Sequence, residues 1–93
     1  MFTCINRQGV KSSKGFIVQR VSRFTAEYRE NNKVITIDVE SGILPNGKYC
    51  LIINADAFVK WDDGLLVNHE KQSEILNNFK EAMEFQDMEV KID

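Results

Sequence analysis

The stretch Phe24-Thr25-Ala26-Glu27-Tyr28-Arg29-Glu30-Asn31-Asn32-Lys33-Val34-Ile35-Thr36-Ile37-Asp38-Val39 decides the fold class. Phe24, Ala26 and Tyr28 alternate with Thr25, Glu27 and Arg29, the two-residue period of a half-buried strand. Beyond Asn31-Asn32 the alternation resumes, with Ile35, Ile37 and Val39 set against Val34, Thr36 and Asp38. Asparagine tolerates positive φ, which suits a two-residue hairpin turn at that pair. This turn puts Tyr28 opposite Ile35, Ala26 opposite Ile37 and Phe24 opposite Val39, all on one core face. Thr25/Asp38, Glu27/Thr36 and Arg29/Val34 share the other face, with Glu30 beside Lys33. A one-residue slip would turn every apolar side chain outward, so the register is specified.

Outward from the hairpin, residues 16–20 (Phe-Ile-Val-Gln-Arg) read as a strand after a polar loop over residues 7–14, and residues 2–5 as an edge strand. On the other side, Ser41-Gly42 and Pro45-Asn46-Gly47 punctuate the chain. Residues 48–54 then read as a buried strand and 57–61 as another, closed by the turn residues Asp62-Asp63-Gly64. Asn68 is a preferred N-cap with Glu70 in the first turn, so a helix starts there. Ile75, Leu76, Phe79, Ala82 and Met83 form one apolar stripe at helical spacing, with Glu74, Asn77, Asn78, Lys80, Glu81 and Glu84 on the remainder. Gln86-Asp87 ends the helix, and Met88, Val90 and Ile92 alternate with Glu89, Lys91 and Asp93 as a last strand. The expected fold is α+β, one domain over residues 1–93. A mostly antiparallel sheet of about five to seven strands carries a single amphipathic helix, roughly residues 69–85, on one face. A strand at residues 2–5 or 88–92 left at an edge would allow a homodimer.

Ninety-three residues suffice for one core, because folding a chain of this size buries roughly 65 % of its extended surface. Two distant cysteines, Cys4 and Cys50, make no disulfide framework and no zinc spacing. Cys50, within Tyr49-Cys50-Leu51-Ile52-Ile53, reads as a small buried hydrophobe, and a reduced cytoplasmic protein is expected. No signal peptide or membrane-length apolar run is seen. Charge is uneven. Residues 1–33 hold seven basic residues against Glu27 and Glu30, a balance of +5, while residues 34–93 carry −7. Because distant segments interleave in a small domain, this asymmetry need not become a spatial patch.

The residues suggest no catalytic apparatus, cofactor or metal. His69, the one histidine, falls in the first turn of the helix and reads as a surface residue. Asp62, Asp63, His69 and Glu70 are better explained by a turn and a polar helix start than by metal ligation. The glycines form no phosphate-binding pattern, and Ser12-Ser13 has no base nearby in sequence. Arg7, Lys11, Lys14, Arg20 and Arg23 interleave with Phe16 and Phe24, the composition of a single-strand nucleic-acid or anion binder. Phe24 is nevertheless expected in the core. Trp61, ahead of an acidic turn, is either a recognition anchor or a core seal with its indole N–H bonded to a carbonyl, the second being favoured.

Residues 23–93 resemble the immunity protein 74 family, small proteins encoded beside bacterial polymorphic toxins. The resemblance is carried by the charged hairpin at 24–39, the segment 57–61 ending in Trp61, the capped helix at 68–85 and the terminal strand at 88–93. It is closest in Glu-Ile-Leu-Asn-Asn-Phe-Lys-Glu-Ala-Met-Glu-Phe (74–85) leading into Met88-Glu89-Val90-Lys91-Ile92. Where the family pattern has proline soon after the Trp, this chain has Asp62-Asp63-Gly64. The resemblance implies a non-enzymatic module that neutralises a cognate toxin by stoichiometric docking. Glu27, Arg29, Glu40, Trp61, Asp62 and Asp63 are the surface residues expected to meet the partner, and nucleic acid and membranes are not expected as partners.

Overall fold

In the computed structural model, which describes residues 2–6, 9–22 and 24–92, the hairpin forms in the expected register. Strand β4 is Thr25–Glu30 and β5 is Lys33–Asp38, numbered in chain order among the described residues. Ala26 faces Ile37, Tyr28 faces Ile35, and the ladder extends to a bond from the Val39 amide to the Phe24 carbonyl at 2.8 Å. Asn31 and Asn32 take φ of 53° and 65°, the paired left-handed conformation of a type I′ turn.

Three strands precede the hairpin: β1 (Phe2–Asn6), β2 (Gly9–Ser12) and β3 (Phe16–Ser22). With β4 and β5 they make a five-stranded antiparallel meander. After Val39 the chain changes sheet. Strands β6 (Glu40–Ile43) and β7 (Tyr49–Ile53) pair antiparallel, the helix α1 (His69–Phe85) crosses over, and β8 (Met88–Ile92) lies parallel to β7. The fold is α+β and mostly antiparallel. The last strand belongs to a second, three-stranded sheet in which it makes the parallel pair. Among the described residues no helix is long and apolar enough to cross a membrane.

The helix begins and ends as expected. The Asn68 side chain accepts from the Lys71 amide at 2.8 Å, and Gln86 and Asp87 return their amides to Met83 and Glu84 at 3.0 Å. Ile75, Phe79, Ala82 and Met83 are fully buried against a single core drawn from both sheets. Aromatic rings run through this core from Phe2 to Phe16 (5.8 Å), Phe16 to Tyr28 (5.6 Å), Tyr28 to Phe58 (6.4 Å) and Phe58 to Phe79 (5.6 Å). Cys50 is buried, as expected of a small hydrophobe.

Five expectations are corrected. Ser41-Gly42 lies within β6 and does not break the chain. Residues 9–12 form β2 rather than loop: Val10 is its one large apolar side chain, too weak a signal alone, but pairing with both β1 and β3 makes the strand. Residues 57–61 are turns and not a strand, with only a single bridge from Lys60 to Leu66. There Phe58 and Trp61 reach the core three residues apart, a spacing that extended chain cannot put on one face. Phe24 is 62 % exposed, because β3 and β4 join so tightly that Ser22 faces Thr25, and the alternation does not carry through the join. Asn78, assigned to the polar side of the helix, is buried.

Asn78 is buried because it has a partner. Its Nδ2 donates to the Tyr28 hydroxyl at 3.0 Å, and that hydroxyl donates to Glu30, which also accepts from Lys71. Lys71 donates to Glu74 as well. This chain of bonds ties the hairpin to the helix. Burial, then the neighbouring Glu30, pushes the Tyr28 phenol above its ordinary pKa. Burial also raises the Glu30 carboxyl, but the bonds from Lys71 and Tyr28 outweigh it and hold the group below its ordinary value. For Lys71, burial lowers and the two glutamates raise, with a net upward shift.

Tyr28→Phe leaves the Asn78 amide with an unmet donor and is expected to cost about 1–2 kcal/mol in urea denaturation. Adding Asn78→Leu should recover most of the loss, since both polar partners are then gone. The Glu30 pKa is lower folded than unfolded. Its contribution is therefore complete above the ordinary value of 4.5 and disappears as pH falls through the folded value. Glu30→Gln should flatten the acid limb of the stability–pH curve, measured by the urea midpoint across that range.

Candidate binding face

The outer face of the five-stranded sheet points away from the helix and carries Lys11, Ile17, Gln19, Glu27, Arg29, Val34 and Thr36 in register across four strands. Glu27 sits at its centre between Gln19 on β3 and Thr36 on β5. Its Oε1 accepts from Gln19 Nε2 and from Arg29 Nε, both at 3.1 Å. Arg29 lies between the half-buried Ile17 and Val34, its neighbours on the adjoining strands, so apolar surface flanks the guanidinium stem. Lys11, Arg29 and Lys33 line a hollow of about 330 Å³ beside the Asn31-Asn32 turn. Three cations meet there with one carboxylate, Glu30, which already accepts from Lys71.

Carboxylates reach the face from the β5 side, on the turn at residues 61–65, whose Asp63 meets Lys33 of that hollow. The Trp61 carbonyl accepts from Gly64 and its amide donates to Leu65, both at 2.9 Å. Gly64 has φ of 95°, a conformation that glycine adopts without cost. The turn docks along the free edge of β5. The Asp62 amide donates to the Val34 carbonyl at 2.8 Å, while its carboxylate accepts from the Thr36 amide at 2.9 Å and the Thr36 hydroxyl at 2.5 Å. Asp63 accepts from the Leu65 amide at 3.0 Å and from Lys33 at 3.1 Å. The Leu65 bond and then Lys33 hold the Asp63 carboxyl below its ordinary value.

The structure thus groups Glu27, Arg29 and Asp62 around Thr36, with Asp63 beyond Lys33. Trp61 lies behind them in the core, 9 % exposed, with the Lys33 ammonium 5.8 Å from its ring. Glu40 is elsewhere, on β6 opposite Ile52. Gln19, Thr36 and Lys33 were not among the residues expected to meet a partner, and Lys11 was named only within the basic N-terminal segment. The hairpin register already placed Thr36 beside Glu27, but the contact of Asp62 across the strand edge is a tertiary one with no sequence signal.

Of the described basic N-terminal residues, Lys11 lies on this face and Lys14 and Arg20 are engaged elsewhere. Lys14 pairs with Glu81 of the helix at 3.7 Å, and Arg20 reaches Ser41. Phe16 is buried, and Phe24, expected in the core, is exposed. Arg7 and Arg23 lie outside the described residues. Among the described residues no group of three or more His, Cys, Asp or Glu side chains could hold a metal ion. No family model, curated protein or solved structure matches the chain.

Asp62→Ala removes both acceptors of Thr36 and uncovers the β5 edge. It is expected to destabilise the fold by about 1 kcal/mol in urea denaturation, because the contact is solvent-exposed. Asp62→Asn keeps one acceptor and should cost less.

Proposed function

We propose that the chain is a non-enzymatic binding module that neutralises a cognate bacterial toxin by docking on it through the outer face of the five-stranded sheet. The observation that carries this reading is the pre-set charge array on that face. Gln19 and Arg29 fix Glu27, Thr36 fixes Asp62, and Lys33 fixes Asp63. Side chains already ordered lose less entropy on association. A face with cations beside the Asn31-Asn32 turn and carboxylates along the β5 edge also selects one orientation of a partner and speeds its encounter. The partner class comes from the resemblance to immunity protein 74, and docking of this kind requires no catalytic group.

The test is co-expression with the toxin encoded by a neighbouring gene. Protection of the host and a co-purifying complex of one chain per toxin are expected. Neither protection nor a complex would overturn the reading. In a formed complex, Arg29→Glu should weaken binding by about 1–2 kcal/mol in a calorimetric titration while the urea midpoint stays near that of the parent. Binding to nucleic acid in place of a protein, steeply weakened by salt, would favour an anion-binding module instead.

A further inference from the structure

We infer that β8 is a self-pairing edge: two copies of this chain join antiparallel through Met88–Ile92 and merge their three-stranded sheets into one of six strands. β8 ends its sheet, and no backbone hydrogen bond among the described residues covers its outer side. Its sequence, Met88-Glu89-Val90-Lys91-Ile92, is charge-antisymmetric about Val90. Antiparallel pairing centred on Val90 sets Glu89 against Lys91 of the second copy, and Lys91 against its Glu89. Met88 and Ile92 meet across the same axis. One surface patch then satisfies itself, as a two-fold interface requires.

The register supports this. Glu89 and Lys91 align with Cys50 and Ile52, on the side of the sheet away from the helix, while Met88, Val90 and Ile92 align with Tyr49, Leu51 and Ile53. Neither Glu89 nor Lys91 has an ion-pair partner among the described residues. Ile92 is 45 % exposed beside the half-buried Leu76, and Phe85, at the end of the helix preceding β8, is 49 % exposed, so apolar surface borders the strand. Charges on an edge ordinarily repel a second edge. Here the order of the two charges makes antiparallel self-pairing attractive, and parallel self-pairing in register repulsive. The edges β1 and β6 lack such selection: β1 carries no charge and its register breaks between Cys4 and Asn6, and β6 carries one charge, Glu40, with no opposite charge to meet it.

The experiment is sedimentation equilibrium of the full chain under reducing conditions, which keep the exposed Cys4 from crosslinking copies. The parent should form a species of twice 10.7 kDa. Glu89→Lys or Lys91→Glu turns both cross-strand pairs repulsive and should raise the dissociation constant by about thirtyfold. Mixing the two variants in equal amounts should restore a dimer, as should combining both changes in one chain. A parent that stays monomeric up to its solubility limit would overturn the inference, and so would a dimer indifferent to either reversal or variants that fail to complement. Hydrogen exchange on the unmodified protein gives a second reading: the amides of residues 88–92 should gain protection with concentration, and unchanged exchange would count against the interface.

Discussion

A buried phenol governs the arrangement of this molecule. Tyr28 is fully enclosed, stacked on Phe16 and edge-on to Phe58, so its hydroxyl has no access to solvent and needs protein partners. Those partners are Asn78 on the helix and Glu30 two residues along the same strand. Meeting both fixes the rotation and height of the helix over the hairpin, because Asn78 must project into the core between Ile75 and Phe79. Lys71, one helical turn past the N-cap, closes the same linkage through Glu30. An apolar core alone would accept the helix at several offsets along the sheet. The polar linkage accepts one, since any slip leaves a buried donor unmatched.

With the helix fixed on the inner face, what remains is the management of sheet edges. β5 is closed by the turn carrying Asp62, whose amide and carboxylate imitate a neighbouring strand at Val34 and Thr36. The acidic turn thereby does two things. It blocks an edge that would otherwise template aggregation, and it brings Asp62 to the rim of the outer face beside Glu27. The same contact leaves Trp61 in the core, so a residue with the composition of a recognition anchor acts as a seal. β1 is interrupted by its irregular register and β6 is only four residues long, which leaves β8 as the longer regular edge among the described residues.

The hairpin and the helix were legible because each is specified locally and redundantly. Alternation, the Asn31-Asn32 turn and the core pairs Ala26/Ile37 and Tyr28/Ile35 agree for the one, and cap, stripe and terminator agree for the other. What was not legible depended on partners distant in sequence. β2 is a strand through its neighbours more than through its own residues. Phe58 and Trp61 resemble strand positions by composition, yet face inward from a turn. Asn78 belongs to the polar side by type and to the core by its bond to a residue fifty positions away. The candidate face divides the same way: Glu27, Arg29 and Thr36 follow from the hairpin register, whereas their meeting with Asp62 required the fold.

The two association surfaces are separable on physical grounds. The outer face belongs to the five-stranded sheet and its contacts are charged and ordered; the β8 edge belongs to the other sheet, and its specificity lies in the order of two charges about Val90. The sheets share a core, but the strand that passes between them turns at Val39, itself buried. Pairing at β8 would extend the three-stranded sheet without adding a strand to the meander. A dimer built that way carries two copies of the charged face, and so could engage two partners at once. Such an arrangement gains by avidity only if the partner is itself multivalent, since linked sites help only when both can be occupied together.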